Sequence, residues 1–111
     1  MPSEKLFVPL KTEFFLDFQD RGKEYELRKY GRNFTERNVY PGRRVLLRNG
    51  YSGKAELWGT VGRVVIGSLE SIFREVDYKL IEPRAKTINE ARGNPEDKEI
   101  YLAFQVLIDK K

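Results

Sequence analysis

The segment that most constrains the fold is the apolar run at residues 99–108 (EIYLAFQVLI). A strand of this composition must be buried on both faces or lie in the middle of a sheet. A second β-prone run, residues 55–66, follows an Asn49-Gly50 turn signal and is interrupted by Gly59 and Gly62. Glycines inside a strand pattern mark bends or bulges. The two runs together predict a strongly curved sheet.

Three further strands are predicted in the first half of the chain. Residues 5–10 (KLFVPL) predict an edge strand, because Pro9 lacks the amide hydrogen that a central strand needs. Residues 24–29 and 43–48 have the alternating and apolar patterns of strands. The segment between them, residues 30–41, has no clear period and predicts a long loop.

Helices are predicted between these strands. One is expected at residues 13–21 with Thr12 as its cap, one at 69–76 after Ser68, and one that opens at the capping box beginning with Thr87. The sequence contains no internal repeat or linker. It therefore predicts a single α+β domain over residues 1–111, a pseudo-β-barrel of about five to six strands with two to three short helices.

Aromatic side chains supply much of the predicted core. Phe14, Phe15 and Phe18 lie on one face of the first helix and are expected to be buried. Trp58 is expected to pack in the core or barrel wall rather than to serve as a stacking platform.

Cysteine and histidine are both absent from the 111 residues. Disulfides are therefore impossible, zinc loses its preferred ligands, and Ser-His-Asp or Cys-His catalysis cannot be assembled. No metal site or cofactor is predicted, although carboxylate-bound Mg²⁺ stays open. No stretch approaches the roughly 18 apolar residues of a membrane span, so a cytoplasmic protein with no membrane contact is expected.

Charge is abundant but nearly balanced. Charged residues make up 34% of the chain, with 21 Lys and Arg against 17 Asp and Glu, and the net charge is +4. This mild basic excess permits phosphate-bearing partners without requiring them. High charge without cysteine is also typical of thermophile proteins.

A charged stretch at residues 21–28 (RGKEYELR) is the strongest candidate for a site. In a strand, Glu24, Glu26 and Arg28 share one face, and the apolar residues between them share the other. Such charges are costly in a dry core unless they are paired. The face is therefore either an ordinary solvated sheet face or a wet cleft with paired charges.

The same stretch resembles the hallmark of ASCH domains, whose usual pattern is Gly-x-Lys-Thr-x-Glu-x-Arg. Lys23, Glu26 and Arg28 match that pattern. Gly22 directly precedes the lysine here, and Glu24 stands where threonine is usual.

The resemblance extends to residues 41–47 (PGRRVLL) and to Gly59-Thr60-Val61, and it covers most of the chain. It implies a PUA-like pseudo-barrel with a cleft beside the first helix. Lys23, Glu26 and Arg28 would line that cleft, and the family's role is to bind or process RNA.

Some related members hydrolyse acetylated cytidine with a lysine, the threonine that follows it and a distant carboxylate. By position, the first two catalytic roles would fall on Lys23 and Glu24, and glutamate is the wrong residue type for the second. Such a mechanism would need Lys23 to activate water, with Glu24, Glu70 or Glu82 completing the proton transfer. An ordinary exposed lysine is the alternative, and whether the chain is an enzyme stays open.

Further ligand-binding candidates lie in the long loop and beside the hairpin. Tyr30 and Arg32 belong to a loop that interleaves rings and cations, a composition suited to stacking bases and gripping phosphates. Loop rings can equally cover a core. Four cations around the hairpin would extend a basic surface or simply serve solubility: Arg43, Arg44, Arg48 and Lys54.

These observations favour a module that binds RNA or a modified nucleotide without a cofactor. The first alternative is a small hydrolase, acting on an acetylated nucleoside or as a ribonuclease. The second is a protein-interaction domain, which would use the aromatic loop. The sequence leaves the oligomeric state open.

Overall fold

A single mixed sheet organises the chain. The computed structural model describes residues 4–50, 55–93 and 97–109. Its five strands stand in the order β1-β3-β4-β5-β2. They are β1 (Leu6–Leu10), β2 (Tyr25–Lys29), β3 (Arg44–Asn49), β4 (Glu56–Gly67) and β5 (Tyr101–Ile108).

Four short helices connect these strands within the described residues. They are α1 (Thr12–Asp20), α2 (Leu69–Glu75), α3 (Tyr78–Ile81) and α4 (Ile88–Arg92). None of the helices in the described ranges is both long enough and apolar enough to cross a lipid bilayer.

The prediction that the apolar run at residues 99–108 forms a strand buried on both faces is confirmed. β5 pairs antiparallel with β4 on one side and with β2 on the other. Leu102 and Phe104 point into one apolar cluster, whereas Ala103 belongs to a second cluster on the opposite face. The continuous apolar sequence of β5 follows from this burial on both sides.

β1 is an edge strand, as Pro9 predicted. Among the described residues it pairs with β3 alone, in parallel, and no described strand lies along its other edge. β2 is the opposite edge. The two edge strands of the curved sheet, β1 and β2, are therefore the strands that directly precede and follow α1 in the sequence.

The bend in β4 curves the sheet around its core. The pairing register between β4 and β5 shifts between Val61 and Val64, where Gly62 lies. A Cβ on Gly59 would lie 2.7 Å from the Leu107 carbonyl oxygen, so only glycine allows this strand approach. The predicted curvature at these glycines is confirmed.

Two apolar clusters fill the two sides of the sheet. The inner cluster includes Phe15 and Phe18 of α1, with Phe14 packed against it. The outer cluster lies under α2 and α3 and includes Ile72 and Ile81. The α+β class with segregated helices is thus as predicted.

Several local predictions were wrong. The chain has four described helices rather than two or three, because α3 is a single turn whose Asp77 cap was not recognised. Thr12 is the first helical residue and makes no cap, and its hydroxyl donates to Asn49 Oδ1 at 2.8 Å. Trp58 was expected in the core or barrel wall but is 40% exposed, and its ring carries the Arg44 guanidinium at 5.6 Å. Lys54 lies outside the described residues.

Candidate functional site

A cleft of about 390 Å³ lies where the curved sheet fails to close. β1 and β2 are the two edges of the sheet and do not pair with each other. Instead, Arg28 Nη2 on β2 donates to the Pro9 carbonyl oxygen on β1 at 3.1 Å. The Arg28 side chain thus bridges the gap between β1 and β2, which we call the seam, where backbone hydrogen bonds would close a barrel. The cleft is lined by Pro9, Leu10, Lys11, Phe14, Lys23, Glu26, Leu27, Arg28 and Glu82.

The chain turns sharply into this cleft after α1. Gly22 has a φ of +81°, which a side chain would strain. The amide of Lys23 then donates back to the Asp17 carbonyl oxygen at 3.0 Å. The glycine that precedes the lysine therefore sets the direction in which the Lys23 side chain leaves the backbone.

Lys23 is a buried lysine, with 4% of its surface exposed. Its ammonium donates to the Ile81 carbonyl oxygen, lies 3.7 Å from Glu26 Oε1 and stands 5.3 Å from the centre of the Phe18 ring. Burial lowers the pKa of Lys23, and the negative charges of Glu26 and Glu82 oppose that shift. An exposed surface lysine, the alternative reading, is excluded.

Glu26 joins the two cations of the motif. Its side chain is 9% exposed, and its Oε2 accepts from Arg28 Nε at 2.7 Å. Lys23, Glu26 and Arg28 therefore form a row of alternating charge along the seam. The structure brings together the three residues that match the family motif.

Arg28 is half-buried, and its guanidinium stands 5.0 Å from the centre of the Phe34 ring. Nε and Nη2 donate to Glu26 and Pro9. Within the part of the chain that the structure describes, Nη1 has no hydrogen-bond partner. The guanidinium is held in place with donor capacity left over.

Of the three carboxylates considered for proton transfer, only Glu82 lines the cleft. Burial raises the pKa of Glu82, while the nearby charge of Lys23 lowers it in part. Glu24 is exposed and its Oε1 accepts from Gln105 Nε2 at 3.0 Å. Glu70 is exposed on α2 and pairs with Arg74.

A buried ion cluster behind the cleft was not predicted. Asp17 of α1 is completely buried and accepts from Arg84 Nε at 3.0 and 3.1 Å and from Arg21 Nη1 at 3.0 Å. Its charge also acts on Lys23. The available signal was an aspartate inside the apolar face of a helix, with an arginine four residues later.

The two loop candidates do not line the seam cleft, but both line a separate depression of about 340 Å³ that shares Arg28 with it. Tyr30 donates to both carboxylate oxygens of Glu36, at 2.7 and 2.6 Å. Arg32 is exposed at the tip of a tight turn closed by mutual hydrogen bonds between Gly31 and Phe34. Its φ is +52°, which is uncommon for a residue with a side chain.

The two arginines beside the hairpin separate. Arg43 lines a second depression, next to the cleft. Arg44 lies on the outer face of the sheet, where it pairs with Asp109 at 2.6 Å and covers Trp58 at 5.6 Å. The residues that line the cleft do not include Arg44.

Among the described residues, no group of three or more carboxylates is arranged to hold a metal ion. The charged residues that line the cleft are Lys11, Lys23, Arg28, Glu26 and Glu82.

Comparison with known proteins was informative for structure only. No protein-family model and no curated protein matches the chain. The hypothetical protein PH0355 is similar, with a TM-score of 0.70 and 17% identity over 96% of this chain and 100% of that one. ASCH from Zymomonas mobilis has a TM-score of 0.62 and 16% identity over 90% of this chain and 64% of its own.

A single-residue variant of the same Zymomonas mobilis protein has a TM-score of 0.67 and 15% identity, over 95% of this chain and 70% of its own. At such low identities these likenesses show the fold alone. They confirm the predicted pseudo-barrel.

Proposed function

We propose that this chain, whose fold is the PUA-like pseudo-barrel of ASCH domains, binds RNA or a modified nucleotide in the seam cleft. The observation that carries the proposal is the fixed Arg28 guanidinium, which lines the cleft and keeps donor capacity at Nη1. Planar guanidinium groups recognise phosphates and base edges through paired hydrogen bonds.

The neighbours of Arg28 suit a nucleotide more than a simple anion. The carboxylates of Glu26 and Glu82 also line the cleft, and they can accept hydrogen bonds from the amino groups of a base. Phe14 provides an apolar wall. A ligand with both a polar ring edge and an anionic group would engage every kind of surface in the cleft.

Binding of a short single-stranded RNA, measured over a salt series, tests the proposal. Arg28→Gln should weaken binding roughly tenfold or more and reduce the salt slope by about 0.7. The matched control is Arg74→Gln, which removes the same charge from an exposed ion pair on α2. It should leave binding almost unchanged.

Two results would remove the proposal. One is no RNA affinity at low salt. The other is an affinity that responds equally to Arg28→Gln and Arg74→Gln, because binding would then follow net charge rather than the cleft.

A second candidate, hydrolysis of an acylated nucleoside, is favoured by the presence of Lys23 and Glu82 in the lining of the same cleft. Burial lowers the pKa of the lysine and raises that of the glutamate, because it disfavours the charged form of each group. A neutral Lys23 could accept a proton from water, and a protonated Glu82 could donate one to the leaving amine. Glu24, in the family's threonine position, lies outside this pair.

Turnover of N4-acetylcytidine separates the two candidates. Hydrolysis would consume one water and release acetate and cytidine, which chromatography detects. Lys23→Met and Glu82→Gln should each abolish the product, while Glu70→Gln on exposed α2 should retain it. No product from the wild-type chain would leave binding as the function.

A further inference from the structure

A second depression of about 420 Å³ adjoins the seam cleft. Pro9 and Arg28 line both, so the two share a border at the hydrogen bond that crosses the seam. Its polar lining consists of Lys5, Arg28, Asn33, Asn38 and Arg43. We refer to these five residues as the basic pocket.

The basic pocket differs from the cleft in charge. Its described lining contains three cations and two side-chain amides and no carboxylate. The cleft, by contrast, is lined by Glu26 and Glu82 as well as by cations. The two carboxylates weaken the attraction of the cleft for a phosphate, whereas the basic pocket offers cationic and amide donors with no carboxylate beside them.

Arg43 is held without neutralisation of its charge. Its Nε and Nη2 donate to the Glu4 carbonyl oxygen at 3.1 and 2.9 Å, and its Nη1 donates to the Asn38 carbonyl oxygen. These acceptors are neutral backbone groups. In the described residues Arg43 has no carboxylate partner, unlike Arg44, which pairs with Asp109.

Two further residues of the basic pocket, Lys5 and Asn38, also suit ligand binding. Lys5 is exposed and has no hydrogen bond or ion pair within the described ranges. Asn38 lies in a turn fixed by two amides that donate to the Thr35 carbonyl oxygen, and the adjacent Val39 is 1% exposed. This wall is anchored in the core before any ligand arrives, which reduces the ordering cost of binding.

We propose that the basic pocket binds a phosphate group. The proposal deepens the function proposed above: a nucleotide whose base occupies the cleft would pass Arg28 and place its phosphate among Lys5, Arg43 and the two amides. The preferred ligand is therefore a phosphorylated nucleotide or an RNA strand rather than a free nucleoside. Binding of phosphate itself does not depend on what the cleft accepts.

Titration with inorganic phosphate, followed by NMR, tests the basic pocket directly. Side-chain amide signals of Asn33 and Asn38 should shift in a saturable manner, compared with chloride at the same ionic strength. Lys5→Gln and Arg43→Lys should each weaken this response. Lys5 makes no described hydrogen bonds and Arg43→Lys keeps the charge, so both variants should fold. Absence of saturable shifts at both asparagines would overturn the proposal.

A second arm separates this proposal from the function proposed above. A nucleoside 5′-monophosphate should bind at least roughly tenfold tighter than its nucleoside, and Lys5→Gln should reduce that ratio. RNA binding that requires Arg28 but ignores Lys5→Gln and Arg43→Lys would overturn the basic pocket alone. Saturable phosphate binding without any affinity for nucleotides or RNA would support the pocket and refute the proposed function.

Discussion

Replacing Glu26 by glutamine should destabilise the fold, because the carboxylate balances two cations at the seam. The Glu26 side chain is 9% exposed, with Lys23 Nζ at 3.7 Å and Arg28 Nε at 2.7 Å. Glu26→Gln leaves the Lys23 ammonium, which is 2% exposed at its side chain, without its nearest opposite charge. A buried charge that loses its partner is strongly unfavourable.

The magnitude follows from these distances. Unit charges about 4 Å apart attract by about 4 kcal/mol at an effective dielectric constant near 20. Part of this is offset, because the substitution removes the cost of burying the carboxylate and glutamine still accepts one hydrogen bond from Arg28. We expect the free energy of unfolding at neutral pH to fall by about 2–3 kcal/mol.

Urea denaturation of Glu26→Gln beside Glu24→Gln measures the effect. Glu24 lies two positions earlier but is exposed, so the same chemical change should cost about 0.5 kcal/mol or less there. The deficit of Glu26→Gln should shrink at alkaline pH, because Lys23 becomes neutral and needs no counter-charge. Equal stability of the two variants at neutral pH would refute the reasoning.

Three further predictions concern single groups. The pKa of Lys23 is lower in the folded state than its ordinary value of 10.5, so between these two pKa values the unfolded state binds more protons. The free energy of unfolding in urea should therefore rise with pH in this window, and Lys23→Met should abolish the rise. Gly59→Ala should cost about 1–3 kcal/mol in the same assay, because its Cβ would meet the Leu107 carbonyl oxygen; wild-type stability would contradict this. Hydrogen bonding to Asp97 raises the pKa of Tyr101 to about 12; ultraviolet titration of Asp97→Asn should return one tyrosine toward 10, and an unchanged curve would refute the contact.

The fold was largely predictable because its decisive signals are local. An apolar run indicated that β5 is an interior strand, Pro9 marked β1 as an edge, and the glycines of β4 marked its bend. Each depends on the chemistry of a few consecutive residues. The one-turn helix α3 was missed because four residues carry too weak a periodic signal.

Burial on the outer face was less predictable. Alternation assigns Trp58 to one side of β4 but does not say whether that part of the side is covered. Helices cover the outer face where Ala103 lies, whereas Leu107, farther along the same face of β5, is 51% exposed. Trp58 lies at the same end of the sheet as Leu107. The amide of Asp109, two residues after Leu107, donates to the carbonyl oxygen of Trp58. Coverage by distant helices is a long-range property.

The sequence predicted the three motif residues of the candidate site but not the residues that surround them. Alternation along the strand grouped Glu24 with Glu26 and Arg28, and it was the resemblance to the ASCH motif that placed Lys23, Glu26 and Arg28 in one cleft, as the structure has them. The burial of Lys23 depends on the Ile81 carbonyl oxygen, and its second carboxylate is Glu82. Both come from the turn around α3, far away in sequence, and only tertiary structure brings them to the cleft.

The most direct test of the central claim is NMR mapping of backbone amide shifts as a short single-stranded RNA is added. If the seam cleft binds the RNA, the largest shifts should lie at Lys23, Glu26 and Arg28. Large shifts confined to the outer face around Arg44 and Trp58, or no saturable shifts, would contradict the account.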